Sequence, residues 1–169
     1  MTKSKKILFG IFVLLVILMV VFRWYEFFTG PVKQPLAFSH KVHSEAAQCE
    51  DCHTGVKNSA SAGLPGIKVC MGCHQEEPMT KSPEEKILIS YIKSNKDISW
   101  NRLYKNPVHV YFSHNRHVSV GKLECEKCHG SMGKTTKPPD QALVSIDMGY
   151  CISCHEKHNI DISCVICHK

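Results

Sequence analysis

A single long apolar run near the N-terminus dominates the hydrophobic pattern of this sequence. It extends without a charged residue from Ile7 to Phe22 and follows a short lysine-rich start. Together with the aromatic-rich residues up to Phe28, it would form about 33 Å of helix at ~1.5 Å per residue, enough to cross a bilayer. The pattern predicts a transmembrane helix, with residues 1–28 forming a cytoplasmic tip and an anchor.

A cleaved signal peptide is the alternative interpretation, because it also begins with basic residues and an apolar stretch. No small-x-small cleavage site follows the run, and Trp24, Tyr25, Phe27 and Phe28 are typical of an interfacial aromatic belt. Both features favour a retained helix, and the lysines favour a cytoplasmic N-terminus. We expect a single-pass protein of the inner (cytoplasmic) membrane, in contact with lipid, whose remaining residues lie on the periplasmic, extracytoplasmic side.

Beyond the anchor, one segment shows clear helical periodicity. Ser82 suits an N-cap, Pro83 suits the first helical position, and Glu84 and Glu85 favour the positive end of a helix. Four apolar residues at helical spacing then predict the face that packs on the core: Ile87, Leu88, Tyr91 and Ile92. Elsewhere periodicity is weak, and no strand is predicted.

The cysteines change this picture of a poorly patterned domain. All ten fall into five copies of Cys-x-x-Cys-His, and none is left over. Two thiols followed by a histidine are the requirement for covalent haem c, in which the thiols bond the porphyrin and the histidine ligates iron. The motifs predict five covalently bound haem c groups. The attaching residues are Cys49, Cys52, Cys70, Cys73, Cys125, Cys128, Cys151, Cys154, Cys164 and Cys167, and the motif histidines are His53, His74, His129, His155 and His168.

Zinc binding and disulfide pairing are the alternative uses of so many cysteines. Zinc sites are also built from Cys-x-x-Cys pairs, but they do not require a histidine directly after the second cysteine, as all five motifs have here. Free thiolate ligands in an exported domain would also tend to oxidise. The uniform spacing argues against a disulfide framework, so haem attachment is favoured.

Six histidines outside the motifs are candidates for the second axial position of the irons. They are His40, His43, His109, His114, His117 and His158. In each His-x-x-His pair, we expect the first histidine to serve the haem attached just downstream and the second to serve a haem elsewhere. We expect His117 to reach across to a haem attached elsewhere and so to tie the two halves of the chain together.

The last axial ligand stays open among three residues. His158 precedes the final motif with the same separation that His43 has from Cys49, which favours it as a ligand. His109 is open between ligand, propionate partner and surface residue. Met148 would supply a thioether, although a packing methionine is the commoner case.

The candidate ligands belong to an internal repeat. Phe38–His53 and Phe112–His129 both read Phe-Ser-His-x-x-His followed by Cys-x-x-Cys-His, and each is followed by another motif. The chain is therefore predicted to contain a duplicated two-haem module with a fifth haem appended.

This repeat also predicts the domain boundaries. A linker at 29–37 separates the anchor from a pentahaem domain at 38–169. Within that domain, residues 38–80 form the first module, 81–107 a helix and connector, and 108–169 the second module with the fifth haem.

Composition fits a cofactor-filled interior. The residues after the anchor lack the apolar content of a normal core, so porphyrins would take its place, and the domain is expected to be unfolded without them.

The formal charge is +6, but five haems would add roughly −10 from their propionates. The lysines are thus counter-charges, and nucleic acid is not expected as a partner. Irons with two histidines have no open position for substrate, so electron transfer is predicted rather than catalysis.

The repeat, with Val69–His74, Val110–Val118 and Met148–Cys151, resembles the class III multihaem cytochromes of the cytochrome c₃ and c₇ group. It is similar, more closely, to the membrane-anchored pentahaem subunit of alternative complex III and its counterpart in menaquinone reductase complexes. The resemblance implies a mainly irregular and α-helical, haem-cored fold of c₃/c₇-like modules with one N-terminal transmembrane helix. Tyr104 is a departure, since such relatives often have histidine there.

The resemblance also implies the partners. It implies electron relay within a quinone-linked complex that contains iron–sulfur or molybdopterin-like and integral membrane subunits. The acceptor would be a soluble or membrane cytochrome. Five motifs favour the alternative-complex-III type, since the menaquinone reductase counterpart carries one more haem. A free-standing membrane-anchored quinol dehydrogenase is the alternative function.

Overall fold

The computed structural model describes residues 3–169, apart from the side chains of Phe27, Phe28 and Thr29, so half of the predicted aromatic belt lies outside the described residues. Two compact units are present, Met1–Pro31 and Val32–Lys169. Helices, turns and irregular segments account for residues 3–169, where an isolated bridge between Val110 and His168 is the only β pairing. The predicted mainly irregular and α-helical class is confirmed.

The first unit is one continuous helix. Helix α1 spans Lys3–Thr29, and its segment Lys3–Glu26 is long and apolar enough to cross a membrane. Apolar side chains cover its whole circumference and none of this segment is buried within the protein. A helix that is apolar all round requires an apolar environment, which supports the predicted single-pass anchor.

The second unit contains short helices set around the cysteine motifs. They are α2 (His40–Ser44), α3 (Cys49–Cys52), α4 (Ile67–Cys70), α5 (Pro83–Lys93), a π-helix (Arg116–Val120), α6 (Glu126–His129), a 3₁₀ turn (Met132–Lys134), α7 (Met148–Lys157) and α8 (Cys164–Cys167). Most are a single turn and are too short to be stable alone. Their conformation therefore depends on contacts with the rest of the domain or with a bound group.

Helix α5 begins as predicted but buries a different face. The Ser82 hydroxyl accepts from the Glu84 N–H at 3.3 Å, which caps the first turn. Its buried residues are Glu85, Leu88, Ile89 and Ile92. The prediction for Ile87 is wrong, because that side chain is 41% exposed whereas Ile89 is 6% exposed. The true face follows i, i+3, i+4 and i+7 from Glu85, a polar residue that hydropathy alone places outside.

A small apolar core lies under this helix. It comprises Leu36, Ile67, Leu88, Ile89, Ile92 and Ile98, with Cys70, Tyr91 and Trp100 packed against it. Leu36 falls in the segment expected to be linker, and it is only 5% exposed. The end of that segment therefore packs on the domain.

The second module has no comparable core. From residue 99 to residue 169 every side chain is at least partly exposed. Val108, Val120 and Val165 are 88%, 74% and 79% exposed, although they are apolar. A polypeptide of this length that buries no side chain of its own cannot offset the entropy of folding, so a bound group must supply the interior.

The two modules hold each other through reciprocal backbone hydrogen bonds. The His114 N–H donates to the Ala60 carbonyl at 3.0 Å, and the Lys41 N–H donates to the Thr135 carbonyl at 3.0 Å. In each case the His-x-x-His segment of one module contacts the loop that follows the first motif of the other. The duplication seen in the sequence is therefore also a duplication of contacts.

Candidate haem attachment sites

Each cysteine motif forms one helical turn. In four motifs the N–H of the histidine donates to the carbonyl of the first cysteine at 2.8–2.9 Å, and the remaining motif lies within α7. Residues three and four apart share a helix face, so both thiols and the imidazole point to one side. We label these turns, in chain order, site A (Cys49–His53), site B (Cys70–His74), site C (Cys125–His129), site D (Cys151–His155) and site E (Cys164–His168).

Three of the motif histidines face a histidine from outside the motifs at nearly the same distance. The ring centroids are 6.2 Å apart for His43 and His74, 6.3 Å for His114 and His129, and 6.2 Å for His117 and His155. Two imidazoles that bind one metal from opposite sides have centroids roughly 6 Å apart, because each metal–nitrogen bond is about 2 Å long. Sites B, C and D therefore each have room for one metal between two rings.

The other two sites are paired less uniformly. His109 stacks on His168 at 5.5 Å, closer than the other pairs, and this contact is held by the Lys169 N–H donating to the His109 carbonyl at 3.0 Å. His40 lies near His53. Burial lowers the pKa of His40, and positive charge on His53 lowers it further.

Hydrogen bonds orient these rings. The Nδ1 of His43 bonds the Ser39 carbonyl at 2.8 Å, and the Nδ1 of His117 bonds the Ser113 carbonyl at 2.8 Å. An occupied Nδ1 leaves Nε2 facing the site and fixes the tautomer, as is usual for metal-binding histidines. Two further histidines bond carbonyls in the same way: His53 to Gly63 at 2.8 Å and His114 to Ala60 at 3.0 Å.

A phenylalanine precedes each His-x-x-His segment and contacts both of its histidines. Phe38 lies edge-on to His40 at 4.9 Å and stacks on His43 at 4.2 Å. Phe112 lies edge-on to His114 at 4.8 Å and stacks on His117 at 4.7 Å. The Phe-Ser-His-x-x-His repeat thus builds one rigid unit that presents two imidazoles to two different sites.

The expected role of His117 in joining the halves is wrong on this geometry, because His155 lies in the same module. The first histidines make the connection instead. His114 bonds the Ala60 carbonyl, and the Thr135 hydroxyl lies 3.4 Å from the Nδ1 of His40. Each module therefore orients a histidine of the other.

Two of the candidates for the last axial position lie at the ends of α7 and are exposed. His158 is exposed at the C-cap of α7, where its N–H closes the helix, and its ring contacts no other aromatic ring within the described residues. Met148 begins the same helix and is 66% exposed. Tyr104, which stands where relatives often have histidine, lies edge-on to the His129 ring at 4.6 Å.

The attachment sites follow one another in space. Burial raises the pKa of the Cys125 thiol, and the charge and hydrogen bond of Cys49 raise it further, so sites A and C adjoin. Burial and then Cys167 raise the pKa of Cys151, so sites D and E adjoin. Burial and then the charge of Cys52 raise the pKa of Cys70, so sites A and B adjoin, and burial and then the charge of Cys154 raise the pKa of Cys128, so sites C and D adjoin. The spatial order is B, A, C, D, E.

One contact at site B was not foreseen. The Nδ1 of His74 lies 3.0 Å from Oε1 of Glu85, a carboxylate, whereas the Nδ1 partners of the five histidines described above are carbonyls or a hydroxyl. Glu85 is also the only buried charged residue in the part of the chain that the structure describes. The position of Glu85 at helical spacing from Leu88 and Ile92 was the one sequence signal that it is buried. An acidic residue in a first helical turn is, however, common and favourable at the surface, so the signal was weak.

The helical-turn motifs, the paired imidazoles and the small apolar core define a multihaem c-type cytochrome. Residues 36–89 and 110–169 match the family described as cytochrome c7 and related cytochrome c, and the chain belongs to this family. Membership implies covalently bound haem c, and the residues present fit it. The thiol pairs would hold the porphyrin, and the histidines would ligate its iron.

A curated relative is similar along most of the chain. It is the menaquinone reductase multihaem cytochrome c subunit of Nitratidesulfovibrio vulgaris (strain Hildenborough), which is 29% identical over 177 aligned residues. The match covers 88% of this chain and 84% of the relative. The predicted membership of the multihaem cytochromes and similarity to a menaquinone reductase cytochrome subunit are thereby confirmed.

Proposed function

We propose that this protein is a membrane-anchored pentahaem cytochrome that relays electrons within a quinone-linked respiratory or photosynthetic complex. The observation that carries the proposal is that the motif histidines of sites B, C and D each face a second imidazole, with ring centroids 6.2–6.3 Å apart. Haem c supplies one-electron transfer at its iron when bound. The residues of the chain attach each haem, ligate its iron and set the order of the sites.

The proposed axial pairs are two histidines for every site. They are His40 with His53, His43 with His74, His109 with His168, His114 with His129, and His117 with His155. Imidazoles on both faces leave no position for a substrate, which supports relay rather than catalysis. His158 is then the histidine that ligates nothing.

The spatial order of the sites supports a relay with two ends. Sites B and E are terminal, and every other site adjoins two neighbours. The connected order means that an electron received at one end passes site by site to the other. Site E, at one end of this series, is the proposed site of electron exchange with a partner.

The relative's name supports a membrane complex. Menaquinone reductase is quinone-linked, so we infer that this chain works with iron–sulfur or molybdopterin-like and integral membrane subunits. It would pass electrons toward a periplasmic or membrane acceptor. Five motifs favour the alternative-complex-III type of assembly, and α1 would hold the haem domain on the periplasmic side of the inner membrane.

Purification in mild detergent from native membranes tests this proposal. We expect further subunits to co-purify, and the intact mass to equal the full chain, anchor included, plus five haems. A chain that purifies alone and is reduced directly by a quinol, with inhibition by a quinone analogue, would instead establish a free-standing quinol dehydrogenase.

A further inference from the structure

Site B differs chemically from site A in the partner of its motif histidine. The Nδ1 of His74 donates to the carboxylate of Glu85 at 3.0 Å, whereas the Nδ1 of His53 donates to the Gly63 carbonyl. A carbonyl offers a neutral dipole, but a carboxylate offers a full charge. Glu85 is 6% exposed, so solvent screens this charge weakly.

The carboxylate is held in place from every side. Its Oε2 accepts from the Thr80 N–H at 2.7 Å and from the Thr80 hydroxyl at 2.5 Å, and its Oε1 accepts from the Met79 N–H at 3.0 Å. Three donors besides His74 therefore converge on the two carboxylate oxygens, an environment that favours the anion. These bonds also fix the position of the carboxylate beside His74.

A charge bonded to a ligating imidazole changes the metal. The carboxylate draws the Nδ1 proton toward itself, which makes the ring a stronger electron donor to the metal through Nε2. Stronger donation and a nearby negative charge both stabilise the ferric state over the ferrous state. No other Nδ1 bond described above involves a charged partner.

We propose that Glu85 is a positioning residue that lowers the potential of the haem at site B. The inference rests on the proposed haem and on its ligation by His43 and His74. Because site B ends the series B, A, C, D, E, the relay would begin or finish at a haem whose potential Glu85 lowers. A lowered potential at site B favours passage of an electron from site B to site A.

The test compares Glu85→Gln with Glu84→Gln in the purified full chain carrying its haems. Glutamine keeps the size of the side chain and removes the charge, and Glu84 is the adjacent carboxylate, which accepts from the Ala37 N–H and does not contact His74. In a spectroelectrochemical titration we expect Glu85→Gln to raise the potential of the site B haem. The equilibrium constant for reduction of this haem should change tenfold or more, which corresponds to a shift of about 59 mV in potential for one electron. Glu84→Gln should leave the potential of the site B haem unchanged.

The site B haem is assigned by His43→Ala, which should convert that haem alone to the high-spin form. Unchanged potentials in Glu85→Gln, with five haems present, would overturn the inference. A wild-type chain that lacks haem at site B would instead refute the proposed function.

A second variant decides the matter if Glu85→Gln loses its haem. Thr80→Val removes the hydroxyl donor and keeps the carboxylate. Because the carboxylate then shares its charge with one donor fewer, its negative charge acts more strongly on His74. We expect the potential of the same haem to fall. A rise, or no change relative to wild type, would overturn the inference.

Discussion

At the scale of single residues, the function of a histidine in this protein depends on what its ring faces. His109 and His158 both lie outside the motifs, and simple spacing favoured His158. The structure stacks His109 on His168 and leaves His158 exposed at a helix end. A short backbone pairing between residues 109–111 and the C-terminus makes the difference, and no local pattern announces it.

The first prediction follows from this contrast. In the purified full chain, His109→Ala should leave one haem without a second histidine, and it should add a high-spin ferric signal in electron paramagnetic resonance. His158→Ala is the matched control and should leave every haem low-spin. A high-spin signal from His158→Ala alone would reverse the proposed assignment.

The second prediction concerns His117, whose ring faces His155 at site D. His117→Ala should create one high-spin haem in the otherwise unaltered chain. The same substitution should add none when Cys151 and Cys154 are both alanine, because the haem that it ligates is then absent. If the high-spin signal persists in that background, His117 ligates the haem at site C or another site.

At the scale of elements, α5 is the segment that behaves most like part of an ordinary globular protein. Its N-cap and first turn were predictable, since capping depends on residues within one turn. The buried face was predicted only in part, because Ile87 and Ile89 have the same hydropathy. Tertiary contacts select Ile89, on the same face as Glu85, whose carboxylate bonds His74.

The third prediction uses these two isoleucines. Ile89→Ala removes buried methyl groups from the core and should lower the free energy of unfolding by about 2–5 kcal/mol. Ile87→Ala, in the same helix, should cost roughly 1 kcal/mol or less because its side chain is largely exposed. Guanidinium unfolding of the haem-loaded chain in detergent measures both. Equal losses would contradict the observed difference in burial, and a larger loss from Ile87→Ala would show that the predicted face is the buried one.

At the scale of the whole molecule, two copies of one module enclose their sites together. The histidine segment of each copy contacts the loop that follows the first motif of the other, through Ala60 in one direction and Thr135 in the other. Neither copy therefore completes its own set of oriented histidines. The apolar core is confined to the region around α5, and residues 99–169 bury no side chain.

The fourth prediction follows from that distribution of buried residues. The chain made without haem attachment should be digested rapidly by protease throughout residues 99–169, where no side chain is buried. The membrane helix should survive, because its hydrogen bonds are internal to one segment. Mass spectrometry of timed digests of haem-loaded and haem-free chains measures this. A protease-resistant second module without haem would contradict the proposed haem core.

The sequence by itself determined the features that need only neighbouring residues. The anchor, the cap of α5 and the attachment motifs belong to this class, because two thiols and an imidazole at i, i+3 and i+4 share one helical turn. The tertiary structure alone decided which histidines face each other, the order of the sites and the contact between Glu85 and His74. The histidine pairings and the Glu85–His74 contact join different helical turns within one half of the chain, so they depend on how those turns pack and not on local spacing. The order of the sites depends in addition on how the two modules pack against each other.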